Sequence, residues 1–178
     1  AVDDRVRNYR HAVPRDGVLD RFGMVNFCAR RWGLCISMTR FVHFGPMPQE
    51  LADKFAAIAI VNAKLTTATK EGKTSGELFD VVKNAYLDAG YEDEETMHHQ
   101  GGATGYAERE WIARPGGTDR VQNEQAFAWN PSLQGAKVED TILVTKDGFE
   151  LLTPTPELPV VRTEIDGQTV ESAGVLLQ

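Results

Sequence analysis

Two adjacent histidines, His98 and His99, open the segment MHHQGGATGYAEREW (residues 97–111), and two glutamates, Glu108 and Glu110, close it. Imidazole and carboxylate are the side chains that ligate divalent metals and move protons near neutral pH. The glycine-rich run between them could instead wrap a phosphate, or mark a strand that another backbone approaches closely. The phosphate reading fails on the residues. The run lacks the lysine of a G-x-x-x-x-G-K-[ST] loop, and β-type rather than helical sequence follows it. A dinucleotide fingerprint fails as well, because no strand–helix pattern surrounds the glycines. If His98 and His99 lie on a strand, they point to opposite faces. One of them, His98 by preference, then faces any pocket.

The elements that must hold these residues are readable from periodicity. MVNFCARRWGLCISMTRFVHF is rich in β-branched and aromatic residues and is broken at residues 30–33, which predicts an antiparallel hairpin. The stretch from Gly45 to Gly72 predicts a helix, with Pro48 near its first turn, Leu51, Phe55, Ile58 and Leu65 on one face, and Gly72 as its stop. A second helix follows, with Thr74 and Glu77 as a capping box, Leu78, Val82 and Tyr86 as its stripe, and Gly90 at its close. Four β-type runs come next (GGATGYAEREW, QAFAWNPS, KVEDTILVTKDGFELLT and VVRTEIDGQTVESA), with KDG and IDGQ as turns. The expected fold class is α+β, with a mostly antiparallel sheet and two main helices packed on it.

With 178 residues, 42% of them apolar and 25% charged, the chain can build one sizeable core. Its net charge of −7 argues against a nucleic-acid partner, which needs a basic face. No apolar stretch approaches a membrane span, and the charged start AVDDRVRNYR does not read as a signal peptide. Cys28 and Cys35 read as buried apolar residues in a reducing compartment rather than as a disulfide. The expected location is cytoplasmic.

The order of motifs then becomes recognisable. KVEDTILVTKDGFELLT resembles the closing motif of the creatinase / prolidase / aminopeptidase P superfamily, the pita-bread fold, where (R/K)-x-E-D-T-x-L-V-T-x-x-G-x-E-x-L-T carries the last metal-binding glutamate. NFCARRWGLCISMTRFVHFG is similar to that family's D-x-G-x-x-x-x-G-Y-x-S-D-x-T-R hairpin. HHQGGATGY is similar to its H-x-x-x-H-x-x-G-L run, and FAWNPS falls where the family has E-P-G. The motifs span about residues 8–153. The resemblance implies one catalytic-domain fragment over residues 1–178, the C-terminal part of a longer protein, with residues 153–178 as a β-hairpin extension.

In the family, two aspartates, a histidine and two glutamates hold two divalent ions. The matching positions here are Asn26, Ser37, Gly102, Asn130 and Glu139, and only Glu139 keeps its ligand type. Two ions would bring four positive charges to one carboxylate, so the expectation is no bound metal and no cofactor. The creatinase branch works without metal, and the resemblance extends that chemistry here as C–N bond hydrolysis. His11 would be the base, with His98, Glu139 and Glu110 as further catalytic residues and Arg40 and Arg109 as substrate contacts. Each has a plainer reading: His11 as a capped loop histidine, Glu139 as a sheet hydrogen-bond acceptor, Arg40 as half of a structural ion pair. His43 reads as strand surface or core packing, and Trp32, Trp111 and Trp129 as core or rim. Three functions therefore stand: a metal-free hydrolase acting on a small-molecule or peptide substrate, a non-catalytic binding module of the same fold, and a metal-dependent Xaa-Pro peptidase. The family also implies a homodimer.

Overall fold

The computed structural model describes residues 1–178. A short helix, α1 (Asp4–Asn8), precedes the hairpin of β1 (Phe22–Arg31) and β2 (Leu34–His43). Its two-residue turn puts Trp32 at φ 52° and Gly33 at φ 90°, the left-handed pair that matches strand twist. After the hairpin come α2 (Gln49–Ala68), α3 (Ser75–Asp88) and a 3-10 turn at Glu94–Thr96. The remaining elements are β3 (Gly101–Thr104), β4 (Trp111–Ile112), β5 (Ala126–Trp129), β6 (Ser132–Leu133), β7 (Ala136–Lys137), β8 (Asp140–Thr145), β9 (Gly148–Leu151), β10 (Val160–Ile165), β11 (Gln168–Ala173) and β12 (Val175–Leu177). The class is α+β, as the residue pattern predicts.

Helix α3 begins with the expected capping box: Thr74 Oγ1 accepts from the Glu77 amide at 3.1 Å, and Glu77 accepts from the Thr74 amide at 2.9 Å. Helix α2 ends at Ala68, earlier than Gly72, because Thr69 takes over. Its hydroxyl donates to the Leu65 carbonyl at 2.7 Å and accepts the indole N–H of buried Trp129 at 3.1 Å. Leu51, Ile58 and Leu65 are buried on the expected face.

The main sheet runs β4-β3-β5-β8-β9, antiparallel throughout. Ile58, Leu65, Leu78, Val82 and Tyr86 of the helices pack with Phe127, Trp129, Ile142 and Val144 of that sheet as one core. The hairpin forms a second sheet with β12, order β1-β2-β12, in which β12 lies parallel to β2. A smaller core gathers Val6, Phe22, Phe41, Leu51 and Val175 beneath it. The two sheets meet where Thr39 donates its amide to the Glu139 carbonyl at 3.1 Å. Strands β10 and β11 pair as a hairpin through Asp166 and Gly167, both at positive φ.

Several expectations fail where one strand face meets water. The run GGATGYAEREW is not one strand, because residues 105–110 loop out between β3 and β4. Strand β1 is an edge, exposed from Val25 to Arg31, so Cys28 is exposed while Cys35 is buried; both are free thiols. Trp32 sits at the hairpin tip, 86% exposed beneath the Arg31 guanidinium, not in a core or rim. Trp129 is fully buried, and His43 is core, its ring against Phe22.

Candidate functional site

Strand pairing draws together Asn26, Ser37 and Glu139, three of the residues that the motif resemblance matches to ligand positions. Asn26 lies opposite Thr39 and Ser37 opposite Cys28 in the hairpin, and the Thr39–Glu139 bridge brings Glu139 of the main sheet against both. Glu139 is buried, yet both of its oxygens have partners. Oε2 accepts from Asn26 Nδ2 at 2.5 Å and from Thr39 Oγ1 at 2.6 Å. Oε1 pairs with the Arg109 guanidinium at 3.2 Å, whose other terminal nitrogen reaches Ser37 Oγ at 3.1 Å. Arg109 therefore bridges Ser37 and Glu139 from the loop between β3 and β4.

Gly102 is glycine for a steric reason. A Cβ placed there would lie 1.9 Å from the Trp111 carbonyl oxygen and 2.7 Å from Ile112 Cα. Neighbouring Gly101, at φ +101°, faces the Ala128 carbonyl the same way. The double glycine lets β4 and β5 close on β3, the close-approach reading of the run. No three His, Cys, Asp or Glu side chains converge in a metal-binding arrangement.

The cavity beside Glu139 has a volume of about 120 Å³, and its wall includes Asn26, Ser37, Asn130 and Glu139. Lys137, at the end of β7 and two residues before Glu139, also lines it. Lys137 is 4% exposed and its ammonium makes no hydrogen bond or ion pair within the protein. Burial pushes its pKa below the ordinary lysine value, against the pull of Glu139. The Asn130 carbonyl oxygen and the Arg109 Nε are also buried without partners.

The three histidines come together, but not as expected. Residues 97–100 form a loop rather than a strand, so His98 and His99 do not point apart. Their rings stack at 4.4 Å, and His11 stacks on His98 at 5.9 Å. His99, with His11, lines the cavity; His98 does not. His98 is pushed down to about 3, by burial first and then by the charges of Lys137 and His99. His99 is lowered by burial and by Arg109 and Lys137. Both are neutral at pH 7.

Glu110 does not join the group. It is exposed and accepts from the Tyr106 amide at 3.1 Å, tying its own loop. Glu108 stands at the cavity mouth instead. Arg40 does not face the cavity either. Its guanidinium is buried and spent on Asp140 at 2.7 Å, the Thr153 carbonyl at 2.6 Å, the Thr39 carbonyl at 2.8 Å, the Glu139 carbonyl at 3.2 Å and Thr155 Oγ1 at 2.9 Å. Of the sequence candidates, then, His11, Arg109 and Glu139 share a cavity, whereas His98, Glu110 and Arg40 do not enter it. Lys137 and His99 were missed. The signal for Lys137 was available, since it is the (R/K) of the closing motif.

A protein-family model described as metallopeptidase family M24 matches residues 6–146. An uncharacterized peptidase of Staphylococcus epidermidis is 28% identical over 129 residues, covering 67% of this chain and 35% of that protein. A Xaa-Pro dipeptidase of Lactobacillus delbrueckii is 27% identical over 129 residues, covering 69% of this chain and 35% of that one. Among solved structures, the prolidase of Pyrococcus horikoshii superposes with a TM-score of 0.74 at 22% identity, over 84% of this chain and 45% of its own. The chain thus spans less than half the length of these relatives, and the pita-bread architecture expected from the motifs is the one it has.

Proposed function

The chain belongs to metallopeptidase family M24, and on that premise we propose that it is a domain of the family that has exchanged its dinuclear metal centre for an internal ion pair. On this reading it binds a small ligand and does not hydrolyse one. The observation that carries the reading is the Arg109 guanidinium, which joins Ser37 to Glu139 where the family's ions would sit. The residues do not fit a metal pair. Asn26 turns an amide N–H toward Glu139, Asn130 and Ser37 are neutral, and position 102 has no room for a side chain. A divalent ion about 4 Å from the guanidinium would be repelled by roughly 8 kcal/mol at an effective dielectric constant near 20. Elemental analysis of protein purified in manganese, cobalt or zinc tests the reading. The expected content is far below one ion per chain, and about two ions would overturn it.

A second reading, metal-free C–N hydrolysis, is favoured by His11 on the cavity wall. A broad hydrolase screen of the longer protein, repeated with His11→Ala, separates the two, because turnover that depends on His11 would end the binding-only reading. The names of the relatives supply a third, metal-dependent cleavage of Xaa-Pro dipeptides. Manganese-stimulated proline release would establish it. The proposal treats residues 1–178 as one domain fragment with residues 153–178 as an extension. It further includes a cytoplasmic location and a homodimer, the latter read by sedimentation.

A further inference from the structure

We propose that the cavity beside Glu139 binds a small monocarboxylate, with Lys137 and Arg109 as its cationic partners. The inference rests on the binding reading above and names its ligand class. Two positive groups, Lys137 and Arg109, meet one buried carboxylate, Glu139, whose oxygens are already occupied by Arg109, Asn26 and Thr39. Glu108 lies exposed at the mouth, where water screens it. Lys137 is 4% exposed as a residue, and its ammonium, which opens only onto the cavity, has no protein partner; a charge so poorly solvated favours an occupant that pairs with it.

The hydrogen-bonding inventory agrees with the charge. The Arg109 Nε–H is buried and has no acceptor. The Asn130 side chain makes no protein hydrogen bond, and its amide can turn a donor edge to an occupant. Arg109 Nε–H and the Lys137 ammonium are thus donors without an acceptor, and the Asn130 amide joins them when its N–H₂ edge faces the cavity. The inner charge of one excess positive selects a monoanion over a dianion. The volume of about 120 Å³ is well above the minimum for a single water and leaves room for a carboxylate and a short carbon chain. The flanking Phe27 ring gives that chain an apolar wall.

Propionate is the probe, followed through the side-chain ¹H–¹⁵N signals of Arg109 and the imidazole signals of His99 on the intact chain. Propionate is expected to saturate these shifts. Neutral propionamide should bind at least about tenfold more weakly, or ~1.4 kcal/mol, and inorganic phosphate should also be weaker. Lys137→Gln should lose about tenfold in affinity, and Lys137→Arg should keep it. Equal binding of propionamide, tighter binding of phosphate, an unaffected Lys137→Gln variant, or no response to propionate at tens of millimolar would each overturn the proposal. If Lys137→Gln does not fold, Asn130→Asp decides: a carboxylate added to the same wall should abolish propionate binding, and retained binding overturns the proposal. A manganese titration of the same sample separates the two claims. Absent propionate binding without metal uptake removes only the carboxylate inference, whereas uptake of about two ions removes the domain reading on which it stands.

Discussion

Glu139 and Asp140 are neighbours in sequence, each pairs with a buried arginine, and the two pairs differ in kind. Because successive strand residues point to opposite faces, Asp140 meets Arg40 on one side and Glu139 meets Arg109 on the other. The Arg40 guanidinium has five protein acceptors, and Asp140 Oδ1 also accepts from the Thr153 hydroxyl at 2.8 Å. That corner is satisfied internally, and its chemistry ends in holding β2 to β8. The Arg109 corner is satisfied only in part: Arg109 Nε and the Asn130 carbonyl are orphaned, and the Lys137 ammonium has no partner. A closed network stabilises, whereas polar groups left unpartnered around a cavity, two donors and one acceptor here, carry a desolvation cost that a bound ligand would relieve. Exposure alone would not separate the two, because both guanidiniums are mostly buried.

The comparison can be broken by substitution. Removing Arg40 should be the most damaging change, since Arg40→Ala leaves Asp140 buried and unpaired at a cost of about 3–5 kcal/mol, read as a fall in the urea midpoint. A cost under about 1 kcal/mol would show that the corner is not the structural one. Gly102→Ala drives a methyl group into the Trp111 carbonyl and should cost about 3 kcal/mol by the same assay, since β4 must move off β3. Arg109→Met should cost less, about 1–2 kcal/mol, because Asn26 and Thr39 still donate to Glu139. It should also weaken carboxylate binding, which Arg40→Ala at tolerated temperature should not. Equal losses of stability from the two arginines would erase the distinction drawn here.

The smallest effect is on pH. His98 is held near 3 in the folded chain, against about 6.5 when unfolded. The depressed value means that the unfolded chain binds the proton more readily. The neutral ring's contribution is therefore complete above about pH 6.5 and is lost as pH falls toward 3. Imidazole signals of His98 should not titrate between pH 5 and 8, and His98→Gln should flatten the acid limb of the stability curve. A midpoint near 6.5 for His98 would remove the neutral histidine stack from the picture. Above neutral pH the variant should leave stability almost unchanged.

Much of the framework was legible in the sequence, because it depends on local chemistry. The Thr74–Glu77 capping box, the hairpin break within residues 30–33 and the IDGQ turn are each specified by a few adjacent residues, and each forms, the first turn being narrower than expected, at Trp32-Gly33. The closing motif located Glu139, and the same motif held the signal for Lys137. The misplacements share a cause. Residue type puts Cys28 in the interior and Trp32 in the core or rim, but β1 has no strand beyond it and Trp32 sits at the exposed hairpin tip. Glu110 was assigned by motif alignment, but its loop folds back so that it caps Tyr106.

By itself the sequence determined the element types and the order of the family's motifs, since these are properties of neighbouring residues and their spacing. Only the tertiary structure decided which charges meet. Arg109 reaches Ser37, 72 residues away, and Glu139, 30 residues away, from a loop whose path no periodicity encodes. The close approach of β4 explains Gly102, and the turn after α3 stacks His99 where a strand would have turned it away. Those outcomes depend on how two sheets pack against each other, and packing sums many weak long-range contacts that a reading of local pattern does not contain.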